Sequence, residues 1–284
     1  MKAKAIIFLF LLSSITSFSQ DITNSPVKGK KGEFFMYWGY NWGWYTKSDI
    51  HFEGEGYDFV LKDVKADDKQ AEWSFEEYLY PGNLTLPQYN LRIGYYFSDH
   101  YSISLGIDHM KYVVNQGQTV KINGTISGSG SDYDGVYNNE DIVIQEGFLE
   151  FEHTDGLNYV NAEIRRFDEL YYFNKNIQLN LFAGAGLGAL YPRTNTTLIN
   201  KERYDEFHLA GFGVHGLVGI NFTFFKHFFI QTEFKGGYIN MPDIRTTLSS
   251  SDSADQSFFF GQYNFNVGGS FNFFEHKKRK KEKL

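Results

Sequence analysis

Residues 34–46, FFMYWGYNWGWYT, divide cleanly by parity. Phe34, Met36, Trp38, Tyr40, Trp42 and Trp44 are all apolar or aromatic, whereas Phe35, Tyr37, Gly39, Asn41, Gly43 and Tyr45 are small or polar apart from their rings. Successive side chains of a strand point to opposite faces, so the pattern predicts a strand with one continuous apolar side and one mixed side. Seven further segments repeat it. Tyr89, Leu91, Ile93, Tyr95 and Phe97 alternate with Asn90, Arg92, Gly94 and Tyr96. Tyr101, Ile103, Leu105 and Ile107 alternate with Ser102, Ser104, Gly106 and Asp108, and Val160, Ala162 and Ile164 with Asn161, Glu163 and Arg165. The remaining segments, IQLNLFAGAGLGALY, HLAGFGVHGLVGINFTFF, IQTEFKGGYI and FGQYNFNVGGSFNFF, behave in the same way.

Each segment is close to the roughly 9–11 residues of a tilted membrane strand. Eight strands are therefore predicted, joined by short turns at 98–100, 173–176 and 225–227 and by long connections at 47–85, 116–156, 192–206 and 241–256. Short turns at one end and long loops at the other are the asymmetry of outer-membrane barrels, with both chain ends on the short-turn, periplasmic side. Backbone polar groups in lipid must all be paired, so such a sheet has to close. A ring of eight strands leaves an interior just wide enough for side chains to fill. Arg92, Asp108, Glu163, Arg165, Glu233 and Lys235 share the inward parity, which predicts a lumen plugged by charge pairs and no open pore. Parts of the long connections, HFEGEGYDFVL and QTVKINGTI, also alternate and predict hairpins that extend past the membrane.

Composition sharpens this picture. Aromatic residues make up 19 % of the 284-residue chain, glycine is abundant at 28 and proline scarce at 5, which suits a transmembrane β-barrel. The mature chain has no apolar run near the roughly 18 residues of a membrane helix. The N-terminal MKAKAIIFLFLLSSITSFSQ has two lysines, an apolar core and small residues at Ser17 and Ser19, and predicts a secretory signal peptide over 1–19 with cleavage before Gln20. Cysteine is absent, which excludes a lipoprotein anchor, disulfides, thiolate metal sites and a cysteine nucleophile. Net charge is −7, but the final KKRKKEKL carries six bases; without it and the leader the body holds 19 basic and 33 acidic residues. A body so acidic is not built to bind nucleic acid.

On these segments the chain resembles the small eight-stranded outer-membrane barrels of Gram-negative bacteria, and with its leader ending in SFSQ it resembles the outer-membrane β-barrel proteins common in Bacteroidota. The resemblance implies an all-β, up-and-down transmembrane barrel over 33–274, a periplasmic segment over 20–32, outer loops at 47–85 and 116–156 and a basic periplasmic tail over 275–284. It implies lipid and lipopolysaccharide as partners. Such barrels often end on an aromatic residue, whereas here ten residues follow FNFF. Barrels of this kind serve as structural anchors, as surface ligand binders, or as enzymes that modify lipid A by acyl hydrolysis or transfer. The expected role is structural or ligand-binding, with lipid A chemistry the alternative and a narrow pore a third class that the charged lumen argues against.

Few residues carry candidate chemistry. His109 and Lys111 in GIDHMKYV fall at the outer rim of the third strand; His153 and Asp155 in FEHTDGLNY, with Glu152 nearby, open the antiparallel fourth. If lipid A is the substrate, His109, His153 and Asp155 form the expected catalytic cluster, with His109 as the base; a solvated rim with a snorkelling lysine is the plainer reading. His100-Tyr101-Ser102 matches the His-x-Ser pair of lipid A deacylases but falls at a periplasmic turn, away from an outer-leaflet substrate. The long connections are acidic, with ten acids against four bases over 47–85 and eight against one over 115–157. In DYDGVYNNED, Asp132, Asp134, Glu140 and Asp141 offer oxygen ligands for Ca2+, without the spacing of an EF-hand; a solvated charge surface is the alternative. Asp252-Ser253-Ala254 is similar to the motif that Bacteroidota O-glycosylate, at Ser253. The tail, with Lys28, Lys30 and Lys31, reads as a solvated run or a contact for anionic headgroups. His215 reads as packed among luminal glycines.

Overall fold

The computed structural model describes residues 30–83, 85–199 and 201–272. The signal peptide, the basic tail, Lys28 and the closing Phe273 and Phe274 lie outside the described residues. The fold is all-β apart from one short helix. In chain order the strands are β1 (Phe34–Tyr45), β2 (Ser48–Gly54), β3 (Tyr57–Val64), β4 (Ala66–Asp67), β5 (Tyr89–Tyr96), β6 (Tyr101–Val114), β7 (Thr119–Ile126) and β8 (Gly135–Val143). They continue as β9 (Leu149–Asn174), β10 (Ile177–Leu190), β11 (Arg193–Leu198), β12 (Tyr204–Phe207), β13 (Gly211–Phe224), β14 (Phe228–Arg245) and β15 (Ser253–Phe271), with helix α1 at Phe75–Leu79.

Every pairing is antiparallel, and the order β1-β5-β6-β9-β10-β13-β14-β15 returns to β1. The closing seam runs without interruption from Phe34 opposite Phe271 to Tyr45 opposite Phe260. At Gly39 a Cβ would strike the Phe265 carbonyl and the Asn266 backbone across that seam, which is why the aromatic run is broken there. The periodicity predicts eight strands, and eight form the ring; among the described residues there are fifteen strands in all, because the long connections are themselves strands. β2 pairs with the start of β15 and carries β3, β7 and β8 beyond it, while β11 and β12 extend the start of β9 and β4 joins β6.

The wall therefore has two storeys. β9, at 26 residues, reaches on the order of 85 Å at about 3.3 Å per residue, far more than the roughly 25 Å apolar band of an outer-membrane barrel. In the lower storey the outward positions stay exposed although they are large and apolar: Met36, Ile93, Ile103, Leu105, Val160, Ile164, Leu187, Val218 and Phe234 are each about half or more exposed. Inward positions pack in layers. At the short-turn end, Phe35, Tyr37, Tyr96, Phe167, Phe182, Leu217 and Phe229 form an aromatic cluster, with the Lys30 ammonium over the Tyr96 and Phe167 rings.

Above that layer lies a charge network. Glu163 meets Arg92 at 2.8 Å, Arg165 at 2.5 Å and Lys235 at 3.0 Å, and His215 at 3.0 Å. Arg165 also bonds Glu233 at 2.8 Å and donates to the Tyr37 hydroxyl at 2.7 Å, and Lys235 reaches Asp108 at 2.5 Å. Three cations thus face three carboxylates, all with side chains no more than 2 % exposed. The six residues that share inward parity in the sequence come together here.

In the upper storey the interior turns apolar. Ile50, Phe52, Phe59, Leu61, Ile122, Phe148, Phe151, Leu157, Leu198, Met241, Ile244 and Phe258 belong to one buried cluster. Its members come from both sides, β2, β3 and β7 on one and β6, β9 and β11 on the other. This is a two-layered core of the kind that soluble sandwiches have.

Candidate functional site

The upper storey carries polar groups that its strands arrange on their outer face. The tight β2–β3 hairpin turns at Gly54–Gly56, with Gly56 at φ +84°, and sends His51 and Asp58 to the outer face of the same sheet. The antiparallel β15 brings Asp255 opposite His51. His51 is held from both sides, Nδ1 to Asp255 at 2.9 Å and Nε2 to Asp58 at 2.8 Å. Burial works against its charge, but the hydrogen bonds it donates to the two carboxylates outweigh it and raise the imidazole above its usual pKa.

The stability consequence has a definite sign. A histidine whose folded pKa is raised contributes stability that is fully present below its unfolded pKa and is lost as pH rises through the folded value. The bridge is partly exposed, with the aspartates more than half so, so solvent screening keeps the effect small. The upper storey is expected to loosen slightly as pH rises through the raised pKa of His51, and His51→Ala to remove that slope. A pH series of amide exchange in β2 and β3 tests this; a slope unchanged in the variant would refute it.

Other cations of this storey are also engaged. Lys201 meets Asp252 at 2.7 Å, Lys62 meets Asp49 at 2.8 Å and Lys121 meets Asp141 at 2.9 Å. Asp252 accepts in addition from the Glu55 amide and the Thr247 hydroxyl. Burial opposes its charge, yet these donors and Lys201 hold its carboxyl below the usual range. Ser253, next in the chain, sits inside the sheet, opposite Glu53 on one side and Arg245 on the other.

Of the residues expected to form a catalytic cluster, His153 is separated from His109 by the wall. His109 is opposite Asn158, donates from Nδ1 to the Asn158 Oδ1 at 2.8 Å and stacks on Tyr89 at 4.9 Å. His153 shares the inward parity of Glu163 and is fully buried, with ring contacts to Tyr112 and Phe151 and a 3.0 Å hydrogen bond with Thr194. Burial pushes its imidazole down to about 3, so it is a neutral core residue and cannot meet a lipid. Between the two, the register slips: Met110 faces Leu157 but Tyr112 faces His153. The extra residues of β9 bulge outward there, Gly156 at φ +129°, and the exposed Asp155 pairs with Arg193 at 3.1 Å. Lys111 donates to the Leu86 carbonyl at 3.0 Å. Of the expected cluster, His153 therefore lies apart inside the wall, while His109 and Asp155 stay on the outer side, near enough for the Asp155 carboxylate to act on the His109 imidazole.

The expected calcium ligands do not converge. Asp132 and Asp134 sit in the β7–β8 turn, where Asp134 accepts from the Ser129 amide and hydroxyl. Glu140 and Asp141 lie roughly 20 Å further along β8 at the usual rise, and Asp141 is taken by Lys121. Among the described residues no group of three or more His, Asp or Glu gathers as a metal site. Ser102 points into the lumen and is buried, while His100 contacts the Phe167 carbonyl at the turn. His215 is held between Glu163 and the Tyr159 hydroxyl. The His51 bridge was missed in the sequence, although His51 and Asp58 flank the two glycines of a hairpin turn and so had to fall close together.

Among the described residues no helix is long and apolar enough to cross a membrane, which leaves crossing by strands open. No family model matches the chain, and no curated protein does. Solved structures that it is similar to include the outer membrane protein OprG from Pseudomonas aeruginosa, at 11 % identity and TM-score 0.38 over 86 % of this chain and 98 % of that one. They include Neisserial surface protein A, at 7 % and 0.34 over 85 % and 98 %. The attachment invasion locus protein Ail of Yersinia pestis follows at 12 % and 0.31, over 85 % of this chain and 99 % of that one. These neighbours are small outer-membrane β-barrel proteins, and at such TM-scores the likeness decides nothing further about this chain.

Proposed function

We propose that this chain is an integral outer-membrane β-barrel of the Bacteroidota type, without an open pore, whose upper storey serves a structural or ligand-binding role at the cell surface. The observation that carries the reading is the closed wall with large apolar side chains exposed all around its lower storey. A soluble protein rarely exposes so much contiguous apolar surface, whereas a lipid-facing band requires it. The packed aromatic and charged lumen supports a plugged interior. The tight turns share one end of the wall with the first and last described residues, which supports reading that end as periplasmic and the upper storey as outside. With most bases paired, the acidic excess of that storey favours a cationic ligand or a divalent ion bridging to lipopolysaccharide phosphate.

Two measurements test this. An epitope inserted in the β7–β8 turn is expected to be accessible on intact cells and one at the C-terminus only after permeabilisation; the reverse pattern refutes the orientation. Purified protein in planar bilayers is expected to show no single-channel steps, and regular conductance would overturn the closed lumen. For the lipid A alternative, spectra from cells lacking and overproducing the protein are expected to coincide; a discrete mass shift that depends on His109 would make it an enzyme.

A further inference from the structure

The outer wall has a notch. β5 begins only at Tyr89, so β1 above Tyr40 has no β5 partner on that side. Residues 66–83 and 85–88 cross the gap: β4 pairs with Val113 and Val114 of β6, Asp68 accepts from the Gly43 amide at 2.7 Å, and Gln70 donates to the Asn41 carbonyl at 2.8 Å. The Asn41 amide donates to the Gln88 carbonyl, and the Lys111 amide to the Gln88 side chain. The segment thus supplies β1 and β6 with the backbone partners that a missing strand would have given.

Its side chains do more than fill the notch. Ser74 caps α1 by accepting from the Glu77 amide, and the single turn turns Tyr78 onto the outer wall. Tyr78 is buried against Tyr40 at 5.0 Å, and the Tyr40 hydroxyl donates to the Tyr78 carbonyl. Tyr40 belongs to the outward set of β1, next to Trp38 and Trp42. The segment therefore lies on the outside of the barrel, not over its mouth. From there Trp73, Phe75, Leu79, Tyr80 and Leu86 are between 53 and 75 % exposed, directly continuous with the apolar belt.

The geometry points to residues 71–83 with Thr85 and Leu86 as an interfacial anchor, lying in the outer leaflet at the level where headgroups meet acyl chains. The occupant of this surface is bilayer lipid. Aromatic rings with a polar edge are suited to that boundary, while Glu72, Glu76 and Glu77 on the same segment keep it from going deeper. The inference rests on the barrel reading, and extends the lipid contact to a segment that is not part of the wall.

Because the chain has no cysteine, single labels are unambiguous. Phe75→Cys and Leu79→Cys in the full-length protein would each carry a nitrobenzoxadiazole fluorophore, in vesicles of brominated-chain phosphatidylcholine. Val218→Cys, outward on the wall, and Asn138→Cys, exposed on β8, are the references. The expected result is blue-shifted emission and a bromine-dependent loss at 75 and 79 that approach those at 218, with neither at 138. Loss at 218 but water-like emission at both 75 and 79 overturns the anchor and leaves the barrel standing. Water-like emission at 218 in folded protein overturns both.

Discussion

Replacing Glu163 with alanine is expected to lower the unfolding free energy by about 3–5 kcal/mol, the usual cost of stripping one partner from a buried ion pair. Glu163 is the carboxylate on which Arg92, Arg165, Lys235 and His215 all converge. Without it two anions, Asp108 and Glu233, face three buried cations, and water cannot reach the excess charge. Urea titration of the refolded protein in lipid vesicles measures the change. A cycle with Arg92→Ala should show strong coupling, because the second substitution removes one of the orphaned charges. A loss below about 1 kcal/mol, the range of exposed pairs, would show that the lumen is wet and that the packed network is not what fills it.

Phe59→Ala is expected to have an effect of similar size but in a different place. Phe59 is fully buried, between Phe52 at 5.3 Å and Phe148 at 6.0 Å, and truncating a core phenylalanine typically costs about 3–5 kcal/mol. The β2–β3–β7–β8 face of that core is joined to the wall by few pairings of β2 with β15, Ser253–Gln256 opposite Ile50–Glu53. That face should therefore loosen while the wall holds. Trypsin added outside sealed vesicles is expected to cut at Lys62 and Lys121 in the variant and spare them in the parent, with the heat-dependent gel shift of the folded barrel retained in both. Simultaneous loss of that shift would show one cooperative unit instead of two.

These expectations depend on features that differ in how openly the sequence displays them. The wall was legible because lipid on one side and a charged lumen on the other impose a strict two-residue period; Met36 and Arg92 sit on the sides their parity assigns. The luminal network followed from the same count. The upper core was only partly legible: Ile50, Phe52, Tyr57, Phe59 and Leu61 do alternate and predict a hairpin past the membrane, but local alternation does not show that the hairpin closes over a shared core. Nothing in the local pattern says that β2 pairs with β15, about 200 residues away. The site failed for a different reason. Counting back from Glu163 puts His153 inside, whereas His109 alternates with inward Asp108 and falls outside, so parity already separated them. The bulge at 154–156 then displaced Asp155, and bulges leave no periodic trace.

The seam between β1 and β15 has a kinetic consequence. Phe34 meets Phe271 at nearly opposite ends of the described chain, and the upper core waits on the same terminal strand through β2. No stable ring or cap can exist while the polypeptide is still arriving, since the partner of the first strand is the last to appear. Contacts this remote in sequence make assembly slow, and until they form, a dozen aromatic faces stand uncovered. Neither the ring nor the β2 pairing of the upper core can therefore form before β15 is present.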